Sequence, residues 1–346
     1  MNIYKKIKDL LPEALKKDLF FKKDLADNGL SYYSSSFERD RKISLADKFF
    51  LESHRIFKAL SLFANLLDRK MARLQVGLLR QASSADPLLV ANKEFHNKHQ
   101  GKRCFIVANG PSLAKQDLSL LANEFTIATN TIWRHPQLDK WQPTYYCTAH
   151  VERFYEKQQL AAGFESASID DMLDYFKQTR DKLTKAEYFI PWSGLEANQI
   201  YNFLPSERTH YLPFLQYPVF ELLPNWPDLS LGLPSPQDSS QYAIMIAMAM
   251  GFSEIILLGC DHDWFINLGE EKHFFAEPTF KSSKEKYDST KQPLIDNLFF
   301  AYLLWKGHFH LKHQAESRGV KIVNATGGGV LDVYPLARYE DYFNQK

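Results

Sequence analysis

"CFIVANGPSL" occupies residues 104–113 and decides the fold. Residues 104–108 form an apolar run of strand type, and the run ends in Asn109, Gly110, Pro111 and Ser112. Proline cannot donate to a sheet ladder, and glycine lets a backbone approach another group closely. A buried strand that stops in this way clears space at its carboxyl end.

The same pattern recurs along the chain. Strands are predicted over residues 103–108, 125–130, 144–150, 254–261 and 320–329, and helices over 118–124, 240–252 and 301–319. Near-continuous apolar strands alternating with helices predict an α/β fold. Its sheet is mostly parallel and Rossmann-like, with helices on both faces. In such sheets ligands bind outside the carboxyl ends of the strands. Those ends carry Asn109-Gly110, Asn130, His150, Asp261-His262-Asp263 and Asn324, so one edge of the sheet gathers amides, carboxylates and imidazoles.

Residues 1–95 read differently. Ile3, Ile7 and Leu10 form a helical stripe, Pro12 restarts a helix, and residues 44–79 carry a long amphipathic pattern with Ser44 as N-cap. The expected organisation is an N-terminal helical region, 1–95, followed by a Rossmann-like catalytic domain, 96–346. Seven lysines within the first 23 residues, with Tyr4, Phe20 and Phe21, suit a solvated face or a peripheral contact with an anionic inner-membrane surface.

Composition narrows the class. The chain has 346 residues, 45% of them hydrophobic, and a net charge of +1, which gives no case for a nucleic-acid partner. Cys104, Cys147 and Cys260 lie far apart in apolar stretches, with no metal spacing, so buried thiols in a cytoplasmic protein are expected. No apolar run approaches the roughly 20 residues of a membrane span.

Three turns suit a phosphate-bearing ligand. "NGPSL" precedes a predicted helix, which would place backbone N–H groups at a helix N-terminus; Asp238, Ser239 and Ser240 open another helix; and 327–329 is a run of three glycines that allows close backbone approach. A nucleotide is the economical ligand, with Asn109 and Asn130 supplying donors and acceptors to base and ribose.

The stretches 101–113, 117–130, 239–264, 273–275 and 321–335, in that order, resemble the DUF115 family, also labelled 6-hydroxymethylpterin diphosphokinase-like. That family is similar to the bacterial sialyltransferases of glycosyltransferase family 42 and to the motility-associated flagellin glycosyltransferases. The resemblance covers residues 95–345. It implies that Asn109 and Asn130 hold the CMP part of a donor and that Ser239 and Ser240 contact the nucleotide. Gly110, Pro111, Ser112, Asp261, His262, Asn324 and Gly327 complete the expected donor site. Where the sialyltransferases use two tyrosines on the leaving phosphate, this chain has Asp263 and His273, and where many DUF115 members end the third strand in Asp it has His150.

The expected activity is glycosyl transfer from a nucleotide-activated sugar, a CMP-linked nonulosonate or Kdo-type sugar, to a glycan or lipid-linked acceptor in surface-polysaccharide or glycoconjugate assembly. His273, Asp263 and His150 are the expected catalytic residues, histidine being suited to proton transfer near neutral pH. His308, His310 and His313 fall on a helix and read as packed or solvated. This chemistry needs no metal and no cofactor. The alternative is a pterin or nucleotide pyrophosphokinase, which would use Mg²⁺ at Asp261 and Asp263. A second alternative is a non-catalytic scaffold of a glycan-assembly complex.

Overall fold

The computed structural model describes residues 86–149, 169–218, 226–266, 273–275 and 294–344. The chain divides into two compact units, Met1–Leu67 and Asp68–Lys346, and every described residue lies in the second. The expected N-terminal amphipathic helices fall outside the described residues.

Seven parallel strands form the main sheet: β1 (Arg103–Val107), β2 (Phe125–Thr129), β3 (Tyr145–Cys147), β4 (Glu187–Pro191), β5 (Thr209–Leu212), β8 (Glu254–Leu258) and β9 (Lys321–Asn324). Their order is β5-β4-β3-β2-β1-β8-β9. A separate parallel pair joins β6 (Phe214–Pro218) to β7 (Leu233–Ser235). The described α-helices are α1 (Pro87–Ala91), α2 (Ile169–Lys182), α3 (Leu195–Tyr201), α4 (Ser239–Ala249) and α5 (Leu294–Glu316). None of them is long and apolar enough to cross a membrane.

The period-two rule of strands divides β1 between two cores. Cys104 and Ile106 join the cluster built on α4, while Phe105 and Val107 join the cluster that holds Phe176 of α2. All eleven residues of α4 are buried, as a helix apolar on every side must be. Asp238 caps it by accepting from Gln241 N, and Gly251, at φ +81°, follows its end in the left-handed conformation glycine tolerates. The three cysteines are buried thiols.

Two features differ from the sequence expectation. Strands β4 and β5 extend the sheet beyond the five strands expected. The expected boundary at residue 96 also falls inside packed structure. Phe95 is buried, with its ring centroid 5.0 Å from that of Phe189, and Asn92 donates from Nδ2 to the carbonyls of Tyr211 and Leu229.

The strand order sets the place for a ligand. β1 has β2 on one side and β8 on the other, so the chain's path reverses direction across the sheet between β1 and β8. Connections leave to opposite sides there, and a crevice opens at the carboxyl ends.

Candidate functional site

A cleft of about 330 Å³ lies at this reversal, large enough for a small ligand. Asn109, Gly110, Asn130, Ser239, Ser240, Asp261, His262, Asp263 and His273 line it. Pro111, Ser112, Asn324 and Gly327 are not among its lining residues, and His150 falls outside the described residues.

The loop after β1 is built around Asp261. Ser112 donates to this carboxylate twice, from its backbone N at 3.1 Å and from Oγ at 2.8 Å. Gly110 N donates to Gly259 O, and a Cβ at Gly110 would overlap the Asp261 carboxylate. From the other side Val330 N donates to Asp261 O, and Gly329, at φ +73°, lies so close that a Cβ there would overlap the Asp261 backbone. The helix expected over 118–124 is a short 3-10 stretch, Leu118–Leu121, and a second 3-10 stretch, Pro111–Lys115, begins inside "NGPSL" itself. Its Ser112 N–H is spent on Asp261 rather than held open for a phosphate. The close approach expected of the glycine run is likewise made to protein. Asn324 serves the same turn, donating to Leu331 O and accepting from Thr326 N. Burial pushes the Asp261 carboxyl up, opposed in part by the two Ser112 hydrogen bonds.

The opposite wall is differently made. Asn109 is buried, and its Nδ2 donates to Thr129 O at 2.8 Å and to Thr129 Oγ1 at 3.2 Å. Oδ1 is buried and without a partner in a residue that lines the cleft. Asn130 sits at φ +48°, a left-handed backbone that asparagine adopts more readily than most residues. Its Oδ1 accepts from Thr148 Oγ1 and Ser239 Oγ, and Ser239 Oγ accepts in turn from Ala149 N. The carboxyl ends of β2 and β3 are thus tied to the start of α4.

No protein-family model matches the chain, and no curated protein matches it. Solved structures resemble it, among them two sialyltransferase complexes. One is the sialyltransferase CstII from Campylobacter jejuni with the substrate analogue cytidine-5'-monophosphate: 17% identity, 69% of this chain and 86% of that chain covered, TM-score 0.35. The other is a CST-II sialyltransferase with a trisaccharide acceptor and CMP: 17% identity, 68% and 86% covered, TM-score 0.35.

The third part of the cleft is a carboxylate and imidazole group. His262, at φ +53°, brings Nε2 to 3.5 Å from Asp238 Oδ2 and 3.5 Å from Ser240 Oγ. Ser240 Oγ bonds the Asp238 carboxylate. Behind them His308 is fully buried, and burial pushes its imidazole down to about 3, so it is neutral. Phe274 N donates to Asn109 O, which pins the 273–275 turn over the end of β1 and sets His273 on the rim. Among the described lining residues there are three carboxylates, Asp238, Asp261 and Asp263, and no lysine or arginine.

Asp238 and His308 are the residues that sequence reasoning passed over. Asp238 was legible only as a cap. His308 shares the buried spacing 304, 308, 311, 315 of α5, so its pattern reads as core.

Proposed function

We propose that the chain is a glycosyltransferase that binds a nucleotide-activated sugar at this cleft, with a CMP-linked nonulosonate or Kdo-type sugar as donor and a glycan or lipid-linked glycan as acceptor. The observation that carries this reading is the Asn109 Oδ1 acceptor, buried and unpartnered at the point where the strand order reverses. An unmatched buried acceptor is costly, and a base amino group or a ribose hydroxyl would satisfy it. The start of α4, with Ser239 and Ser240, would face the donor's phosphate.

In this reading the bond between the anomeric carbon and the phosphate oxygen breaks, and the nucleotide leaves with the electron pair. The acceptor oxygen forms the new bond and gives its proton to His273, with Asp263 beside the reacting centre. His262 has a different place from a general base, because it is engaged with Asp238 and Ser240.

The test is thermal unfolding of the full-length protein with CMP, CDP, UDP, GDP and ATP, the last with and without Mg²⁺. A ligand that binds only the folded state raises the melting temperature. A rise with CMP that disappears in Asn109→Ala supports the reading. A rise with ATP and Mg²⁺ alone favours the second reading, a Mg²⁺-dependent pyrophosphokinase, for which the three lining carboxylates speak. No rise with any of these nucleotides overturns both.

A further inference from the structure

We propose that Asp238, His262 and His308 form a binding site for a divalent first-row transition metal of the Zn²⁺ type in the wall of the cleft. The inference is independent of the nucleotide reading.

Three separate elements converge here: the N-cap of α4, the turn after β8 and the middle of α5. One donor atom from each lies within 4.8 Å of the other two. The His262 Nε2 to Asp238 Oδ2 separation of 3.5 Å is close to the edge, about 3.4 Å, of a tetrahedron whose metal–ligand bonds are about 2.0–2.1 Å. Two imidazoles and one carboxylate, with one position left open, suit Zn²⁺ and its neighbours; Mg²⁺ and Ca²⁺ prefer all-oxygen sets.

His308 supplies the independent observation. It is 0% exposed, and its Nε2 has no hydrogen-bond partner. Its other contacts suit the tautomer with the proton on Nδ1. In that tautomer Tyr334 Oη accepts from Nδ1 across their 3.0 Å contact and donates its one hydrogen to His308 O at 3.2 Å, so each group is satisfied. Nε2 then has a bare lone pair in a buried place, which is the state a metal ligand needs. A hydrogen bond to the far ring nitrogen is the usual support of a ligating histidine.

His262 is held in left-handed backbone at φ +53°, which histidine adopts less readily than glycine and which directs its ring onto Asp238. The Asp238 carboxylate is oriented by Ser240 Oγ and Gln241 N. Asp238 and His262 line the cleft, and His308 lies behind them. A divalent ion on one carboxylate and two neutral imidazoles keeps a positive charge. That charge would offset the acidic lining and offer a phosphate oxygen a partner.

The test uses the full-length protein with its purification tag removed, stripped of metal by a chelator and then titrated with Co²⁺ and, in competition, Zn²⁺. No nucleotide is present, so the outcome does not depend on the proposed activity. One Co²⁺ per chain, with the intense visible absorption of a four-coordinate site, is expected at micromolar metal. His262→Asn, Asp238→Asn and His308→Gln should each weaken binding by at least the roughly 10–100-fold that loss of a ligand's supporting hydrogen-bond partner costs. The Asn at 262 tolerates the left-handed backbone, and the Asn at 238 keeps a capping oxygen. These two variants therefore decide the matter even if His308→Gln unfolds. His313→Gln, at an exposed position of α5, should bind as the wild type does. The proposal is overturned if the wild type takes up no Co²⁺ or Zn²⁺. It is also overturned if folded His262→Asn and Asp238→Asn bind as the wild type does.

Discussion

The two walls of the cleft are made of similar residue types and behave differently. On the Asp261 side, Ser112 bonds both carboxylate oxygens, Val330 N bonds Asp261 O, and Gly110 and Gly329 pack closely against the residue. On the Asn109 side Oδ1 is buried and unsatisfied, as is His308 Nε2 behind Asp238 and His262. A polar group at a strand end is thus either a tie between loops or a contact held for a ligand, and residue type does not tell which. The count of satisfied bonds does.

The largest effect expected from breaking this contrast is at Gly329. Its Cβ would overlap the Asp261 backbone, and its φ of +73° adds a left-handed penalty for any L side chain. Overpacking costs about 1–3 kcal/mol and the backbone conformation about 1–2 kcal/mol more. Gly329→Ala should lower the unfolding free energy by roughly the sum, read from urea denaturation. Gly110→Ala, which overlaps Asp261 without a positive φ, should cost less than Gly329→Ala. Equal stability of wild type and both variants would mean that Asp261 is not the tie described.

Next comes Ser112→Ala. It removes a hydroxyl bond to a buried carboxylate, a type of bond worth about 1.5–3 kcal/mol. The backbone bond from Ser112 N remains, so the loss should fall at the lower end. Asn109→Ala should divide differently between stability and binding. It frees Thr129 O, but its main consequence should be loss of the nucleotide-induced rise in melting temperature. A variant that loses stability and keeps that rise would move Asn109 to the tying side.

A sharper measurement separates backbone from side chain at Asn130. Asn130→Ala and Asn130→Gly lose the same hydrogen bonds from Thr148 and Ser239. Only the alanine also meets the left-handed penalty at φ +48°. The glycine variant should therefore be the more stable of the two, with the penalty of about 1 kcal/mol offset in part by glycine's freedom in the unfolded chain. The reverse order would mean that the turn relaxes out of that conformation once the side chain is gone.

How far this was legible in the sequence depends on distance along the chain. The parallel sheet, the helix 239–249 and the polar carboxyl edge follow from local patterns. β4 and β5 did not. Glu187–Pro191 ends in a proline, and Thr209–Leu212 spans four residues of which two are polar, so neither reads as a long apolar run. The pairing of Ser112 with Asp261 spans 149 residues, and local spacing carries no trace of it. The "NGPS" turn accordingly read as an open anion site when its N–H has a protein partner. His308 shows the converse, since helical spacing identifies a buried face but not an imidazole nitrogen left unbonded within it.

The smallest expected effect concerns acid, and it links the satisfied core to the rim of the cleft. His135 is buried, and burial holds its imidazole below the ordinary 6.5, with a hydrogen bond to the Leu113 backbone working weakly the other way. Its Nδ1 accepts from Gln137 N at 3.3 Å, so the neutral ring carries its proton on Nε2. A second proton on Nδ1 would face the Gln137 N–H, donor against donor. Because the folded value lies below the unfolded one, the unfolded chain takes up more protons between them. The stability this residue contributes is complete above 6.5 and is lost as pH falls toward the folded value. The ring also packs edge-on against Phe274, 5.0 Å between centroids, and Phe274 N holds Asn109 O. Loss of that packing in acid should loosen the turn that carries His273. Unfolding free energy measured in urea should thus decline from pH 7 to pH 5, and the decline should be shallower in His135→Gln, which has no proton to gain. If the two proteins show the same slope, other groups account for the acid sensitivity, and the connection from His135 through Phe274 to the cleft fails with it.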